Sequence, residues 1–179
     1  MASLEIRQQY PKKLRLNDGK EFSIRLMEPN EADKSAILKF VSGLNEDDLL
    51  YLRTDITDPA VVAQWIDNVA SGNTTTLIAD VGDEVAGYAS VHREPARWTR
   101  CVGELRVNAG PRFRGVGLGR ALIGEVFTVG QSLGLRKLCG MLTPDQHGAQ
   151  TLFERLGFRV EAALQDWVQD RRGRLRDIL

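Results

Sequence analysis

The chain has 179 residues with 24 Lys+Arg against 24 Asp+Glu, a length that suits one domain with its own core. Hydrophobic residues make up 42% and charged residues 27%, which excludes disorder as the main description, and the zero net charge excludes a general nucleic-acid binder, which carries surplus Lys and Arg. Cys101 and Cys139 are too few for a disulfide framework. No apolar run approaches the ~20 residues that cross a bilayer, and the N-terminus MASLEIRQQYPKKLRL lacks an apolar signal core. These features predict a cytoplasmic, single-domain protein over residues 1–179, with an N-terminal hairpin extension at about residues 1–22 and no membrane partner.

In chain order, KKLRL and EFSIRLM flank Asn17-Asp18-Gly19 and predict a β-hairpin. Asn30 caps a helix whose apolar stripe is Ile37, Phe40, Val41 and Leu44. Asp58 and Pro59 open a second helix carrying Val62, Trp65, Ile66 and Val69. Residues 74–81 and 84–92 read as strands joined at Gly82-Asp83, and residues 101–109 as a third. Leu118, Leu122, Val126, Val129 and Leu133 mark a long helix stopped by Gly134, followed by a short apolar strand at residues 135–142. Strand, helix, strand implies a right-handed parallel crossover. A helix through Ala149, Leu152, Phe153 and Leu156 then precedes a terminal hairpin at residues 158–168 and 174–179. The fold class is α+β, a mixed and mostly antiparallel central sheet with one parallel βαβ crossover and helices on both faces.

The most informative stretch is Pro111-Arg-Phe-Arg-Gly-Val-Gly-Leu-Gly-Arg120, between the third strand and the long helix. Glycines let backbone approach a ligand, and a helix N-terminus offers free N–H groups and partial positive charge. Arg112, Arg114 and Arg120 add fixed cations, so the turn predicts an anion site, most naturally for pyrophosphate. A Walker loop is absent, and the dinucleotide fingerprint fails because its third glycine is Arg120 or Leu122 in the available registers.

Arg114-Gly-Val-Gly-Leu-Gly119, led by Pro111, resembles the R/Q-x-x-G-x-G/A motif of the GNAT superfamily of N-acetyltransferases; Arg112-x-x-Gly115-x-Gly117 is a second register that fits, and the proline spacing favours the first. The block Ala149-x-x-Leu152-Phe153-x-x-Leu156-Gly157-Phe158 is similar to a second block of that family. The resemblance runs from about Ile24 to the C-terminus. It implies acetyl-CoA as co-substrate, with no metal. It places the pyrophosphate on the N–H groups of Gly115, Val116, Gly117, Leu118, Gly119 and Arg120. It pairs the pantetheine with Val107, Asn108 and Ala109, in a gap that opens toward the strand at 135–142. Gln146 replaces the family's helix-start Asn and keeps an amide for the cofactor. Phe153 replaces the tyrosine that protonates the departing thiolate in many relatives, and it can wall the CoA arm.

Acetyl transfer to an amine needs a proton acceptor. Glu104, at the start of the cofactor strand, is the first candidate base and His92 the second. Glu94 and His147 are weaker candidates, and a Cys101–His92 dyad lacks an orienting third group. Met141 occupies the place of a base used by some relatives. The acceptor side is expected around residues 47–53 and 167–170. There Glu46, Asp47, Asp48 and Asp55 could attract a cationic amine or form a solvated acidic face, and Tyr51, Trp98 and Trp167 are candidate walls or core residues. The expected activity is direct acetyl transfer to a primary amine of a small molecule or protein; a non-catalytic acyl-CoA sensor is the alternative. A homodimer is compatible with the sequence, and nothing in it fixes one.

Overall fold

The structure, a computed structural model, describes residues 4–50 and 52–179. Tyr51, a candidate wall, lies outside the described residues. A short helix α1 (Leu4–Gln8) precedes the antiparallel hairpin β1 (Lys12–Arg15) and β2 (Glu21–Leu26). Next come α2 (Glu31–Ser42), α3 (Glu46–Leu50) and α4 (Pro59–Ser71). Asn30 caps α2 by accepting from the Asp33 N–H, and Asp58 caps α4 by accepting from the Ala60 N–H, as their sequence context predicts. The strands β3 (Thr74–Val81), β4 (Glu84–His92) and β5 (Val102–Ala109) follow, then α5 (Leu118–Ser132), β6 (Lys137–Cys139), α6 (His147–Arg155), β7 (Leu164–Gln169) and β8 (Leu175–Ile178).

One six-stranded sheet runs in the order β1-β2-β3-β4-β5-β6. Every neighbouring pair is antiparallel except β5 and β6, which are joined through α5 and run parallel. The fold is therefore mixed α+β, as the element order predicts.

Both sheet faces are covered. Leu77, Ala79, Ala89, Val91 and Leu105 pack on one side with Leu122, Ile123, Val126 and Val129 of α5 and with Phe153 of α6. Ile78, Val85 and Tyr88 pack on the other with Ile37, Phe40 and Val41 of α2 and with Val62 and Trp65 of α4. Central strands covered on both faces are buried at successive residues, which is the pattern of β3 over Thr74–Ala79 and of β4 over Val85–Val91.

The chain's last third departs from expectation. The strand predicted at 135–142 keeps only Lys137–Cys139, and the predicted terminal hairpin begins at Leu164 rather than 158. Strands β7 and β8 form a separate two-stranded sheet. It is tied to the segment after β6 where Leu142 and Leu179 exchange backbone hydrogen bonds at 2.8 and 3.3 Å.

Candidate functional site

Beyond Ala109 the chain makes a 3-10 turn at Pro111–Phe113, anchored by the Phe113 ring edge-on to Phe22 at 6.0 Å. Gly115 and Gly117 then take φ of +74° and +93°, values that load any other residue with steric cost. The first helical bond of α5 is donated by the Ala121 N–H to the Gly117 carbonyl at 3.0 Å. The six N–H groups of residues 115–120 have no acceptor among the described residues. Space is open over Gly115, where an added Cβ would meet nothing within 4 Å. The turn is thus a row of unsatisfied donors at the positive end of a fifteen-residue helix. Asn17 of the β1–β2 hairpin braces it, donating from its N–H to the Val116 carbonyl at 3.2 Å.

The three arginines diverge. Arg112 pairs with Glu84 and lies over the Phe113 ring, pointing toward the α2 side. Arg114 donates from Nε to the Ala109 carbonyl at 3.1 Å and from Nη2 to Asp48 at 2.6 Å. Arg120 is exposed and has no ion-pair partner among the described residues.

At its other end β5 pairs with β6 over Val102–Glu104, which face Lys137–Cys139, and only Glu104 has a ladder partner on both sides, Cys139 and His92. Beyond Glu104 the two strands part, and β5 keeps only its β4 neighbour through Ala109. The cause is local. After Cys139 the chain turns to meet Leu179, and the Phe153 ring fills the space beside Gly140, where an added Cβ would sit 2.6 Å from Phe153 Cε1.

A cavity of about 460 Å³ opens at this parting. Val107, Leu142, Gln146, Ala149 and Phe153 line one wall. The Gln146 side-chain carbonyl accepts from the Thr143 N–H at 3.0 Å, and its NH2 has no acceptor among the described residues. Asn108 and Ala109 lie further along β5, toward the glycine turn, and do not line the cavity.

The opposite wall carries the ionisable groups. Antiparallel register places His92 opposite Glu104 and Ser90 opposite Arg106, so His92, Glu104 and Arg106 share one sheet face. The Glu104 carboxylate accepts from Arg106 Nε at 2.8 Å and meets Arg53 Nη1 at 2.5 Å. Burial pushes its pKa up, but the Arg106 hydrogen bond and the charges of Arg106, Arg53 and His92 outweigh this and hold it below the usual range. His92 Nδ1 lies 3.0 Å from Thr74 Oγ1. Burial, with Arg106 and Arg53, lowers its pKa to about 4 against the opposing pull of Glu104, so it is neutral at pH 7. Tyr88 also lines the cavity, and burial pushes its phenol up to about 12.

Other candidates fall away. Glu94 pairs with Arg97 on the exposed β4–β5 loop, Cys101 makes no hydrogen bond with His92, and His147 opens α6 outside the cavity. The acidic residues expected on the acceptor side have basic neighbours. Asp48 is tied to Arg114, Asp55 to Arg171 at 2.8 Å, and Asp47 and Glu46 lie 3.5 and 3.8 Å from Arg172. Trp98 is 91% exposed and Trp167 61%, and neither lines the cavity. The sequence reading placed Arg53 at the edge of the acceptor side and passed over Arg106, Tyr88 and Trp65 as cavity residues. The alternation Glu104-x-Arg106-x-Asn108 was the available local signal, since it puts three polar groups on one face of a strand.

Among the described residues no cluster of three or more His, Cys, Asp or Glu could hold a metal ion, and no helix is long and apolar enough to cross a membrane.

The sequence profile of the acetyltransferase (GNAT) family matches residues 41–158. No curated protein matches the chain significantly. Among solved structures, the chain is similar to the acetyltransferase of GNAT family from Streptococcus pneumoniae, at 24% identity and TM-score 0.73 over 88% of this chain and 95% of that one. It is also similar to ribosomal-protein-alanine N-acetyltransferase from Brucella melitensis, at 25% identity and TM-score 0.72 over 86% and 94%. A third likeness is to yncA from Salmonella typhimurium, solved with its cofactor acetyl-CoA, at 23% identity and TM-score 0.74 over 88% and 90%. With a profile match across more than half its length, a glycine turn of free donors and a strand pair that parts over a cavity, the chain belongs to the acetyltransferase (GNAT) family.

Proposed function

We propose that this chain is an acetyl-CoA-dependent N-acetyltransferase that moves the acetyl group by direct transfer to a primary amine. The observation that carries the reading is the continuity of three features along β5. Six unpaired N–H groups lie beyond its C-terminal end, a strand edge without a partner follows its last residues, and the cavity lies where it parts from β6. The turn's N–H groups, with the charges of Arg114 and Arg120, suit the pyrophosphate of acetyl-CoA. The free edge at Val107, Asn108 and Ala109 suits the pantetheine amides as an added strand. Phe153 walls the arm, and the Gln146 NH2 is free to meet it. Arg112, engaged with Glu84, contributes positive charge from the flank.

In the reaction the acceptor ammonium loses one proton to become the free amine. Its nitrogen attacks the thioester carbonyl, the C–S bond breaks, and the second amine proton passes to the thiolate. The products are amide, CoA thiol and one released proton. In the tautomer where Nδ1–H donates to Thr74, His92 keeps a free Nε2 lone pair facing the amine and can relay its proton to water. Glu104, held by two guanidiniums that lower its pKa as they lower that of His92, fixes Arg53 and Arg106 and is the other group able to take the proton. Nearby guanidiniums also lower the amine's own pKa, since like charge disfavours the ammonium.

The second reading is a non-catalytic acyl-CoA sensor, favoured by Phe153, which has no proton to give to a thiolate. Thiol release from acetyl-CoA is the test, across amino acids, polyamines, peptides and small amines. Release with any acceptor supports the transferase. Tight CoA binding with no release from any acceptor selects the sensor.

A further inference from the structure

The charge of the cavity wall bears on which amines it admits. Its lining holds three formally charged side chains, Arg53, Arg106 and Glu104, while His92 is neutral at pH 7. One carboxylate against two guanidiniums leaves a net positive charge in a partly buried space. Glu104 takes Nε of Arg106 and Nη1 of Arg53. A guanidinium has five N–H donors in a planar fork, so both arginines keep most of theirs, and that fork matches a carboxylate. No second acidic side chain lines this cavity to receive an ammonium. The acidic residues nearby in sequence, Asp47, Asp48 and Asp55, are already held by Arg172, Arg114 and Arg171.

We propose that the acceptor is a small zwitterionic amine of the amino-acid type, whose carboxylate is bound by Arg106 and Arg53 while its amino group faces His92. This rests on the transferase reading of the same cavity. A bare cation such as a polyamine or a lysine side chain meets surplus positive charge there without a counter-ion. A zwitterion brings its own anion and leaves the amine near the thioester. The reach is suitable: the Arg106 guanidinium leans back to Glu104 at 2.8 Å, and Glu104 lies opposite His92 in the ladder, so a carboxylate bound at Arg106 leaves its α-amino group near the His92 level. Leu52, Ile56, Val61 and Trp65 form an apolar wall able to take an uncharged side chain.

The experiment measures kcat/KM at saturating acetyl-CoA for a set of neutral L-amino acids and the matching L-amino-acid amides, with spermidine and an acidic-N-terminal peptide alongside. The amides keep the α-amine and side chain and lose only the carboxylate. The expected result is a preference of about 10- to 100-fold for amino acid over amide, the size of lost hydrogen bonds to a charged group. Arg106→Gln is expected to raise KM for the amino acid by a similar factor and to shrink that preference toward one. Arg53→Gln is the second variant should Arg106→Gln fail to fold. Amides, spermidine or the peptide turned over as well as or better than the amino acids would overturn the proposal alone. Thiol release from no acceptor at all would overturn the transferase reading and this proposal with it.

Discussion

Arg114 Nη2 donates to Asp48 Oδ1 at 2.6 Å, joining the glycine turn to the short helix α3. The Asp48 side chain is only 9% exposed, so this is a sheltered carboxylate close to a proposed phosphate site. Coenzyme A and Asp48 then compete for one guanidinium. Asp48→Asn is expected to tighten CoA binding by about two- to fivefold, the range of a modest ion pair, and Arg114→Gln to weaken it. Calorimetric titration with CoA reads both. Unchanged affinity in both variants would place Arg114 outside the phosphate site.

Gly117 sits at φ +93° beside the free N–H groups of the turn. A glutamate there adds backbone strain and puts a carboxylate at the proposed phosphate site, so Gly117→Glu is expected to abolish CoA binding. Gly124 supplies the control. It lies exposed on α5 with nothing within 4 Å of an added Cβ, and glycine is a poor helix residue. Gly124→Glu is expected to fold and bind CoA as the wild type does. CoA affinity retained by Gly117→Glu would contradict the placement of the site.

His92 makes stability depend on pH in a defined window. Its folded pKa is depressed to about 4 from the ordinary 6.5, so between those values the unfolded chain binds the extra proton. Stability from this group is complete above pH 6.5, falls as pH drops, and is lost through about pH 4. At pH 5 the loss is about 2 kcal/mol, from 1.36 kcal/mol per unit. Urea unfolding of wild type and His92→Gln at pH 7.5 and pH 5.0 isolates the effect. The wild type is expected to lose more stability than the variant on acidification, and equal losses would refute a buried neutral imidazole.

Gly140 is the pivot of the strand parting. An added Cβ lies 2.6 Å from Phe153 Cε1, and that ring is backed by Phe158 at a centroid distance of 4.8 Å. Phe153 is buried, so it has little room to retreat. Gly140→Ala is expected to cost about 1–3 kcal/mol by overpacking and to displace the ring from the cavity wall. Thermal and urea unfolding measure the first. Phe153→Leu in the Gly140→Ala background is expected to recover part of the loss, because it removes the clashing ring edge.

Much of the fold is legible where signals are local. Asn30 and Asp58 announce their helices because capping is decided within three residues. Strands β3 and β4 are bounded by turn residues and lie in the sheet centre, so their apolar runs match their ladders. The strand at 135–142 was overextended because its side chains stay apolar after its pairing with β5 ends. Apolar pattern reports burial, and burial here comes from Phe153 and the terminal hairpin. The glycine turn was readable because donors, glycines and helix start are contiguous. The Arg53–Glu104–Arg106 cluster was not, since Arg53 arrives from a loop about fifty positions away. The basic neighbours of the acidic residues were unreadable for the same reason: Arg114, Arg171 and Arg172 are distant in sequence.

The most direct measurement is the stoichiometry of acetyl transfer, with CoA thiol and acetylated amine quantified together in one reaction, run with wild type, Gly124→Glu and Gly117→Glu. The expected result is one thiol and one amide per turnover in the first two proteins and neither in the third. Acetyl-CoA that binds the wild type but yields no amide with any acceptor would contradict the account.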